Sequence, residues 1–446
     1  MSMTRKPVPH IVQSAAVYLC APISSAWLPL AGLLGFAAIF WRYQELVNLQ
    51  WDFGAYYVAG KALLAGGNPY DPDSLKQAGQ LITDADYHGL LFLYPPLFLR
   101  ILTPLFYLDL FTASFVWFTL KCMTVQIMLL ASLKLMRARV SILSLGLMNF
   151  AALTFHPIGL DFAAGNVAVF EGTLVLSGLW AWSTNRKGLA AALITLGSFM
   201  KISPFLLALY PLHRRNKRFL VSLAICIASL AILAALDWRM TAHYFAFTQS
   251  DAVVYHWDEQ VQSVYNISLT SFILRTFAHT YFYQPLIDAA WLVPILTPLA
   301  PVLIFLALIV SVRKHEHADR SHNSPTLFCA LLLAVLLVPP RLAGYTLCWT
   351  LFPCAHLLIQ SWNQKHWSAL VLTISGIFLL QWYFPPSQIK PGLGQLLVDS
   401  ELLGLLSLYI SACLLLCRHK KKTENNKLII NDLRTTRSHE LPRHAH

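Results

Sequence analysis

The residue that most directly suggests chemistry is Asp52, in the sequence WDFGAYYVAGKALLAGGNPYDP at residues 51–72. It follows the first long apolar stretch, and aromatic residues occupy positions 51, 53, 56 and 57. A carboxylate held against aromatic rings beside a membrane can have a raised pKa and act as a general base. The same position also suits an N-cap for a helix over residues 53–65. The sequence leaves both roles open.

Two cations are candidates for binding an anionic group. Lys201 lies between two apolar segments and close to Pro204, and Arg341 follows two prolines. A cation within the depth of a membrane is costly, so its presence there indicates a function, and the planar guanidinium of an arginine suits phosphate oxygens. Lys201 could instead extend its ammonium to the membrane surface, and Arg341 could anchor the end of a loop.

The composition places these residues in a membrane protein. The chain has 446 residues, of which 57% are hydrophobic and 12% charged, whereas a soluble domain carries about 25% charged residues. This excludes a soluble enzyme, a disordered chain and a collagen-like fibre. The eight cysteines include no C-x-x-C pair, so we expect neither a disulfide framework nor a zinc site.

The apolar stretches predict an all-α polytopic membrane protein of roughly 10–12 transmembrane helices. The stretch at 17–40 follows two basic residues and predicts an uncleaved first helix, with the N-terminus in the cytoplasm. Residues 42–90 then form the first extracytoplasmic loop. The segments 90–108 and 188–212 are short and broken by prolines, which predicts a hydrated cavity on the extracytoplasmic side because broken helices require protein or water around their backbone.

The membrane domain is predicted to cover residues 1–417, followed by a disordered basic cytoplasmic tail at 418–446. This tail has eight Lys or Arg residues against three acids, a pattern that marks the cytoplasmic side and favours anionic lipid head groups. No basic helix or aromatic-basic module accompanies the tail, so we expect membrane lipids and no nucleic acid as partners.

The string D-F-x-x-Y-Y-x-A-G-x-A-L-L-x-G-G-N-P-Y-D-P at 52–72, followed by F-L-Y-P-P-L-F at 92–98, resembles the polyprenol-phosphate-sugar-dependent membrane glycosyltransferases of family 87. Shorter strings are similar and follow in the same order: G-N-V-A at 165–168, where the family has G-Q-x-N, K-I-S-P at 201–204, N-I-S-L at 266–269 and P-R-L-A-G-Y at 340–345. The resemblance implies a GT-C architecture whose active site opens on the outer face.

The resemblance also implies roles for individual residues. Asp52 matches the catalytic carboxylate of the first external loop, and for the donor phosphate that such a reaction would need, the candidate ligands are Lys201 and Arg341. Sugar or acceptor contacts are expected from Tyr56, Tyr57, Asp161, Asn166, Asn266 and Tyr345, and further candidates for the phosphate site are His256 and Arg275. Asp161 could equally cap a polar loop, and the string HWDE at 256–259 could be an acceptor-loop cluster, a metal site or solvated surface. Asn166 and Ala168 replace the Gln and Asn of the family, so the sequence does not identify the sugar that is transferred.

The sequence thus predicts an inverting hexosyl- or pentosyltransferase, with mannosyl transfer as one form. It would move a sugar from a polyprenyl-phosphate donor to a lipid-linked or cell-envelope glycan on the periplasmic face of a bacterial inner membrane, with both termini cytoplasmic. We expect no cofactor and no metal ligand set, since the lipid-phosphate sugar is the donor substrate.

Two alternatives remain open: a transporter or flippase of a lipid-linked or small polar substrate, and a catalytically silent family member that binds carrier lipid. Acids, prolines and motif residues concentrate on the outer side, whereas a transporter needs a site near the midplane.

Overall fold

The computed structural model describes residues 27–48, 50–82, 91–263, 265–280, 284–318, 324–382 and 395–417. These residues are predominantly helical, and their β-structure is limited to an isolated bridge between Asn266 and Ala343. The predicted all-α polytopic fold is therefore confirmed. The start of the predicted first helix, residues 83–90 of the first loop and the whole basic tail lie outside the described residues.

The first half of the chain contains α1 (Trp27–Tyr43), α2 (Trp51–Leu64), α3 (Pro72–Gln80), α4 (Pro96–Phe106), α5 (Leu110–Leu135), α6 (Ile142–Thr154), α7 (His156–Ala164), α8 (Ala168–Ser183), α9 (Lys187–Met200), α10 (Leu209–His213) and α11 (Lys217–Leu236). The second half contains α12 (Trp238–Thr248), α13 (Asp251–Gln262), α14 (Leu269–Phe277), α15 (Val293–Ala318), α16 (Pro325–Leu337), α17 (Leu351–Asn363), α18 (Trp367–Gln381), α19 (Gln395–Val398) and α20 (Ser400–Cys417). Short 3-10 helices cover Gln44–Asn48, Ser203–Ala208, Ala290–Leu292 and Gly344–Thr350.

Some of the described helices are long enough to span a membrane alone. Among the described residues these are α5, α11, α15 and α20, and the pair α6 and α7 qualifies as one span bent by 62°. The shorter apolar helices are α4, α9, α16 and α18. The expected total of roughly 10–12 includes short, proline-broken segments, and α4 and α9 overlap the segments 90–108 and 188–212 for which this was expected. For example, α9 has 14 residues, which corresponds to about 21 Å of the roughly 30 Å that a span needs.

Aromatic residues of α2 pack against α4 and α5. Phe53 stacks on Trp117 with 5.4 Å between ring centroids, and Tyr56 meets Phe98 edge-on at 5.4 Å. The start of α2 is also tied to α5, because the Gln50 side chain donates to the backbone oxygen of Ser114 at 3.2 Å. These contacts fix α2, the helix that carries Asp52, against the membrane domain.

The turn between α7 and α8 approaches α2 closely. Gly165 ends α7 with a φ of +66°, a left-handed conformation that glycine adopts without steric cost. A Cβ atom on Gly165 would lie 2.7 Å from the Cβ atom of Gln50 and 2.9 Å from that of Phe53. Glycine therefore allows the backbone that precedes Asn166 to reach the start of α2.

Candidate active site

Asp52 lies in the first turn of α2 and points to the turn between α7 and α8. Its Oδ2 atom accepts a hydrogen bond from Nδ2 of Asn166 at 2.7 Å. Gln50 is the N-cap residue of α2, and no side chain caps this helix, so the alternative role of Asp52 as a helix cap is wrong. Burial raises the pKa of Asp52, and the Asn166 bond and the charges of Lys201 and Arg341 act in the opposite direction.

Asn166 connects this carboxylate to a cation. While its Nδ2 atom donates to Asp52, its Oδ1 atom accepts from Nζ of Lys201 at 3.0 Å. Asn166 is 2% exposed, so both hydrogen bonds are shielded from water, which strengthens them. The result is a chain of carboxylate, amide and ammonium groups contributed by three separate segments of the sequence.

Lys201 directly follows α9, in extended backbone. Its Nζ atom lies 3.9 Å from Oε2 of Glu171 and 4.9 Å from the centroid of the Tyr345 ring. An ammonium over an aromatic face is attracted by the ring quadrupole. The predicted site residues Lys201 and Tyr345 are therefore brought together with Asp52 and Asn166.

Glu171 is a site residue that the sequence reasoning missed. It is fully buried in the first turn of α8, and neither carboxylate oxygen has a hydrogen-bond partner among the described residues. Its position in the apolar stretch VAVFEGTLVLSGLWAW was the available signal, because an acid inside such a stretch is expensive and indicates a function.

Two tyrosines complete the site on the side of the first loop. The hydroxyl of Tyr56 donates to that of Tyr94 at 3.0 Å, and Nδ2 of Asn166 lies 3.5 Å from the first and 3.4 Å from the second. Tyr94 belongs to the FLYPPLF string but was not among the predicted site residues. The hydroxyl of Tyr57 instead donates to the backbone oxygen of Leu108 at 2.7 Å, so it supports the loop.

Arg341 lies at the edge of this site. Its guanidinium is stacked on the ring of Trp257, 5.3 Å from the centroid, and its charge lowers the pKa of Asp52 from a distance. His256 precedes Trp257 in α13, where partial burial and then the nearby Arg341 lower the pKa of the imidazole. Within the described residues no three His, Cys, Asp or Glu side chains converge as metal ligands, and Asp258 of the HWDE string accepts a hydrogen bond from Gln262.

Asn266 and Arg275 are engaged in holding the fold. The Asn266 side chain donates to the backbone of Pro340 and accepts from that of Leu342, so it fixes the segment that carries Arg341. Arg275 is 2% exposed, donates to the backbone of Asn266 and pairs with Asp399. Neither side chain has a geometry that supports the expected contact with sugar or phosphate.

Asp161 is likewise an interior residue. It lies within α7 rather than in a loop, and its Oδ2 atom is 2.7 Å from Nζ of Lys121, with both side chains fully buried. The expected roles in sugar binding and in capping a loop therefore have no support from its contacts. Lys121, which the sequence reasoning also missed, lies in the middle of the span α5.

The fold and this cluster define a polytopic membrane protein with a partly buried site of acids, amide, tyrosines and cations. The model of glycosyltransferase family 87 matches residues 92–343, more than half of the chain. The chain therefore belongs to glycosyltransferase family 87 and is a glycosyltransferase. The matched range contains Asn166, Glu171, Lys201 and Arg341, and it begins after Asp52. A search of curated proteins and a search of solved structures each gave no match.

Proposed function

We propose that this protein is an inverting glycosyltransferase that uses a polyprenyl-phosphate sugar as donor and a lipid-linked or cell-envelope glycan as acceptor, on the periplasmic face of the inner membrane. The observation that carries the proposal is the hydrogen-bonded chain from Asp52 through Asn166 to Lys201. It places a potential base and a cation suited to phosphate in one site, as transfer from a lipid phosphate requires.

In the proposed reaction the acceptor hydroxyl attacks the anomeric carbon of the donor. Asp52 takes the hydroxyl proton as the new C–O bond forms, and the bond between the anomeric carbon and the phosphate oxygen breaks, with its electron pair remaining on the phosphate. The ammonium of Lys201 and the guanidinium of Arg341 stabilise the departing phosphate. A single displacement inverts the anomeric centre, whereas retention would need a carboxylate as nucleophile.

The surroundings of Asp52 suit a base. Asn166 occupies Oδ2, while Oδ1 has no hydrogen-bond partner among the described residues and is available for the proton. Burial raises the pKa of Asp52, so the carboxylate accepts a proton more readily than an exposed aspartate does. The hydroxyls of Tyr56 and Tyr94 lie beside the same amide, where they can donate to sugar oxygens.

The test is transfer by the purified protein in detergent, with radiolabelled polyprenyl-phosphate hexoses and pentoses and a lipid extract as acceptor. We expect labelled glycolipid from the unmodified chain and none from Asp52→Asn, which keeps the size and hydrogen-bonding shape of the side chain but removes its basicity. Asp73→Asn is the matched control, since Asp73 is an acid of the same external loop in the first turn of α3.

A product formed in detergent cannot result from transport, because there is no sealed compartment. Full activity of Asp52→Asn would overturn the assignment of the base. Failure of every donor to label a product with the unmodified chain would overturn the choice of donor class.

A further inference from the structure

Lys121 uses its ammonium at three acceptors near the turn between α7 and α8. Its Nζ atom lies 2.7 Å from Oδ2 of Asp161 and donates to the backbone oxygens of Asp161 and Asn166, the latter at 3.0 Å. Two of these contacts are hydrogen bonds to backbone oxygens, and the third is an ion pair with a carboxylate whose oxygens have no hydrogen-bond partner among the described residues. Because both charged side chains are fully buried, water cannot replace any of the three.

A second residue on the same face of α5 also hydrogen-bonds to the turn between α7 and α8. Trp117 lies one helical turn before Lys121 and donates from Nε1 to the backbone oxygen of Gly165 at 2.8 Å. The carbonyls of Gly165 and Asn166, two successive residues, are therefore bound by two side chains of one helix. This geometry fixes the backbone from which the Asn166 side chain extends.

A buried ion pair often contributes no more to stability than well-packed apolar residues of similar volume would. In this chain the pair does what apolar residues cannot do, since it supplies N–H donors to carbonyls at the end of α7. The amide that these carbonyls position lies 2.7 Å from the Asp52 carboxylate and 3.0 Å from the Lys201 ammonium. The pair is thus one peptide unit from the proposed reaction centre without touching it.

We propose that Lys121, with Asp161 as its counter-ion, is a positioning residue that holds the Asn166 amide between Asp52 and Lys201. The inference rests on the proposed function, because the geometry being held is that of the base and the phosphate-binding cation. Displacement of a catalytic group by about 1 Å can cost about a hundredfold in rate. A positioning role predicts that loss of the pair lowers the rate of transfer only by displacing the Asn166 side chain. In a variant without that side chain, loss of the pair should not change the rate further.

The experiment is a double-mutant cycle on the full-length chain. The first variant is Lys121→Met/Asp161→Asn, which removes both charges together and so leaves no buried unpaired ion. We expect its kcat to fall about a hundredfold with the acceptor KM changed less than about threefold. In an Asn166→Ala background, the same two substitutions should change kcat by less than about threefold, since the group that they position is absent.

A second variant, Asp161→Asn alone, leaves the Lys121 ammonium buried without its counter-ion and should lower the midpoint of thermal unfolding. It keeps the two bonds from Lys121 to backbone carbonyls, so the kcat of the folded protein should stay within about threefold of the unmodified chain. A hundredfold loss of kcat in the folded protein would overturn the role given to these two bonds. The matched control is Gln126→Met/Asn149→Ala, which removes a buried polar pair between α5 and α6, joined by a hydrogen bond of 2.9 Å, and should leave kcat unchanged. A hundredfold loss that persists in the Asn166→Ala background would overturn the proposal, as would an equal loss in the control.

Binding of the polyprenyl phosphate without sugar separates this inference from the proposed function. If the unmodified chain transfers no sugar, the proposed function fails. The double-mutant cycle is then measured as affinity for polyprenyl phosphate instead of as kcat. A misplaced Asn166 no longer holds the Lys201 ammonium in position, so we expect the pair variant to bind polyprenyl phosphate about tenfold more weakly than the unmodified chain. When the pair variant is combined with Asn166→Ala, binding should be no weaker than in Asn166→Ala alone. Equal weakening in both backgrounds would overturn the positioning role.

Discussion

Replacement of Asn166 by alanine tests the hydrogen-bonded link between Asp52 and Lys201 directly. The amide makes two hydrogen bonds to charged partners, at 2.7 Å to Asp52 and 3.0 Å from Lys201. A hydrogen bond to a charged group contributes about 1.5–3 kcal/mol. If the bond to Asp52 is fully used in the transition state, its loss should lower kcat/KM by about 10- to 100-fold.

The pH dependence of Asn166→Ala gives a second and independent signature. The bond from Asn166 lowers the pKa of Asp52, in opposition to burial, which raises it. Without this bond the pKa of Asp52 moves further up. Since Asp52 must be ionised to act as a base, activity is lost as the pH falls through this pKa, so the acidic limb of the rate profile moves to higher pH. The variant should therefore lose more activity at pH 6 than at pH 8.

The assay is transfer of labelled sugar in detergent over a range of pH, at saturating donor. Asn149→Ala is the control, because Asn149 is a buried asparagine whose side chain contacts Gln126 and the backbone of Leu145. It should leave the acidic limb in place. A rate within threefold of the unmodified chain, with the same acidic limb, would refute the link between Asn166 and Asp52.

Two further substitutions test the framework. Gly165→Ala places a Cβ atom on a residue with left-handed backbone and against α2. The midpoint of thermal unfolding in detergent should therefore fall by the equivalent of at least about 1–2 kcal/mol. The control Gly146→Ala, with no atom within 4 Å of the added Cβ, should not lower the midpoint. Arg275→Met leaves the Asp399 carboxylate buried without its partner and should cost about 3–5 kcal/mol of stability. The donor KM of the folded Arg275→Met protein should be unchanged, and a raised KM would restore Arg275 as a phosphate ligand.

The sequence identified those site residues whose type is rare in an apolar chain. Asp52 and Lys201 stand out because few charges occur near them, and the structure brings them to either side of one amide. Lys121 and Glu171 carry the same signal within α5 and α8 but were not predicted as site residues, because they lie inside long apolar runs with no proline beside them.

For other candidate residues, the contacts depend on which acceptor a side chain finds in the folded chain. Asn266 and Arg275 have residue types that could bind a sugar or a phosphate, yet both hydrogen-bond to backbone groups of neighbouring segments. Nothing in local sequence reports such long-range contacts. The short helices α4 and α9 overlap the proline-broken segments that the sequence predicted to be short. Whether a proline ends a helix is not decided locally, since α15 continues through Pro298 and Pro301.

The balance of charge in the site indicates why a second cation is needed beside Lys201. Asp161 is paired with Lys121, so the single ammonium of Lys201 faces Glu171 directly and Asp52 through an amide. A donor phosphate that bound to Lys201 alone would add negative charge to a cation that already faces the Asp52 carboxylate through Asn166, and like charges repel strongly in a partly buried site. Arg341 forms no ion pair among the described residues, and its guanidinium rests on an exposed tryptophan at the edge of the site. We therefore expect Arg341 to be the cation that compensates the phosphate when the donor binds.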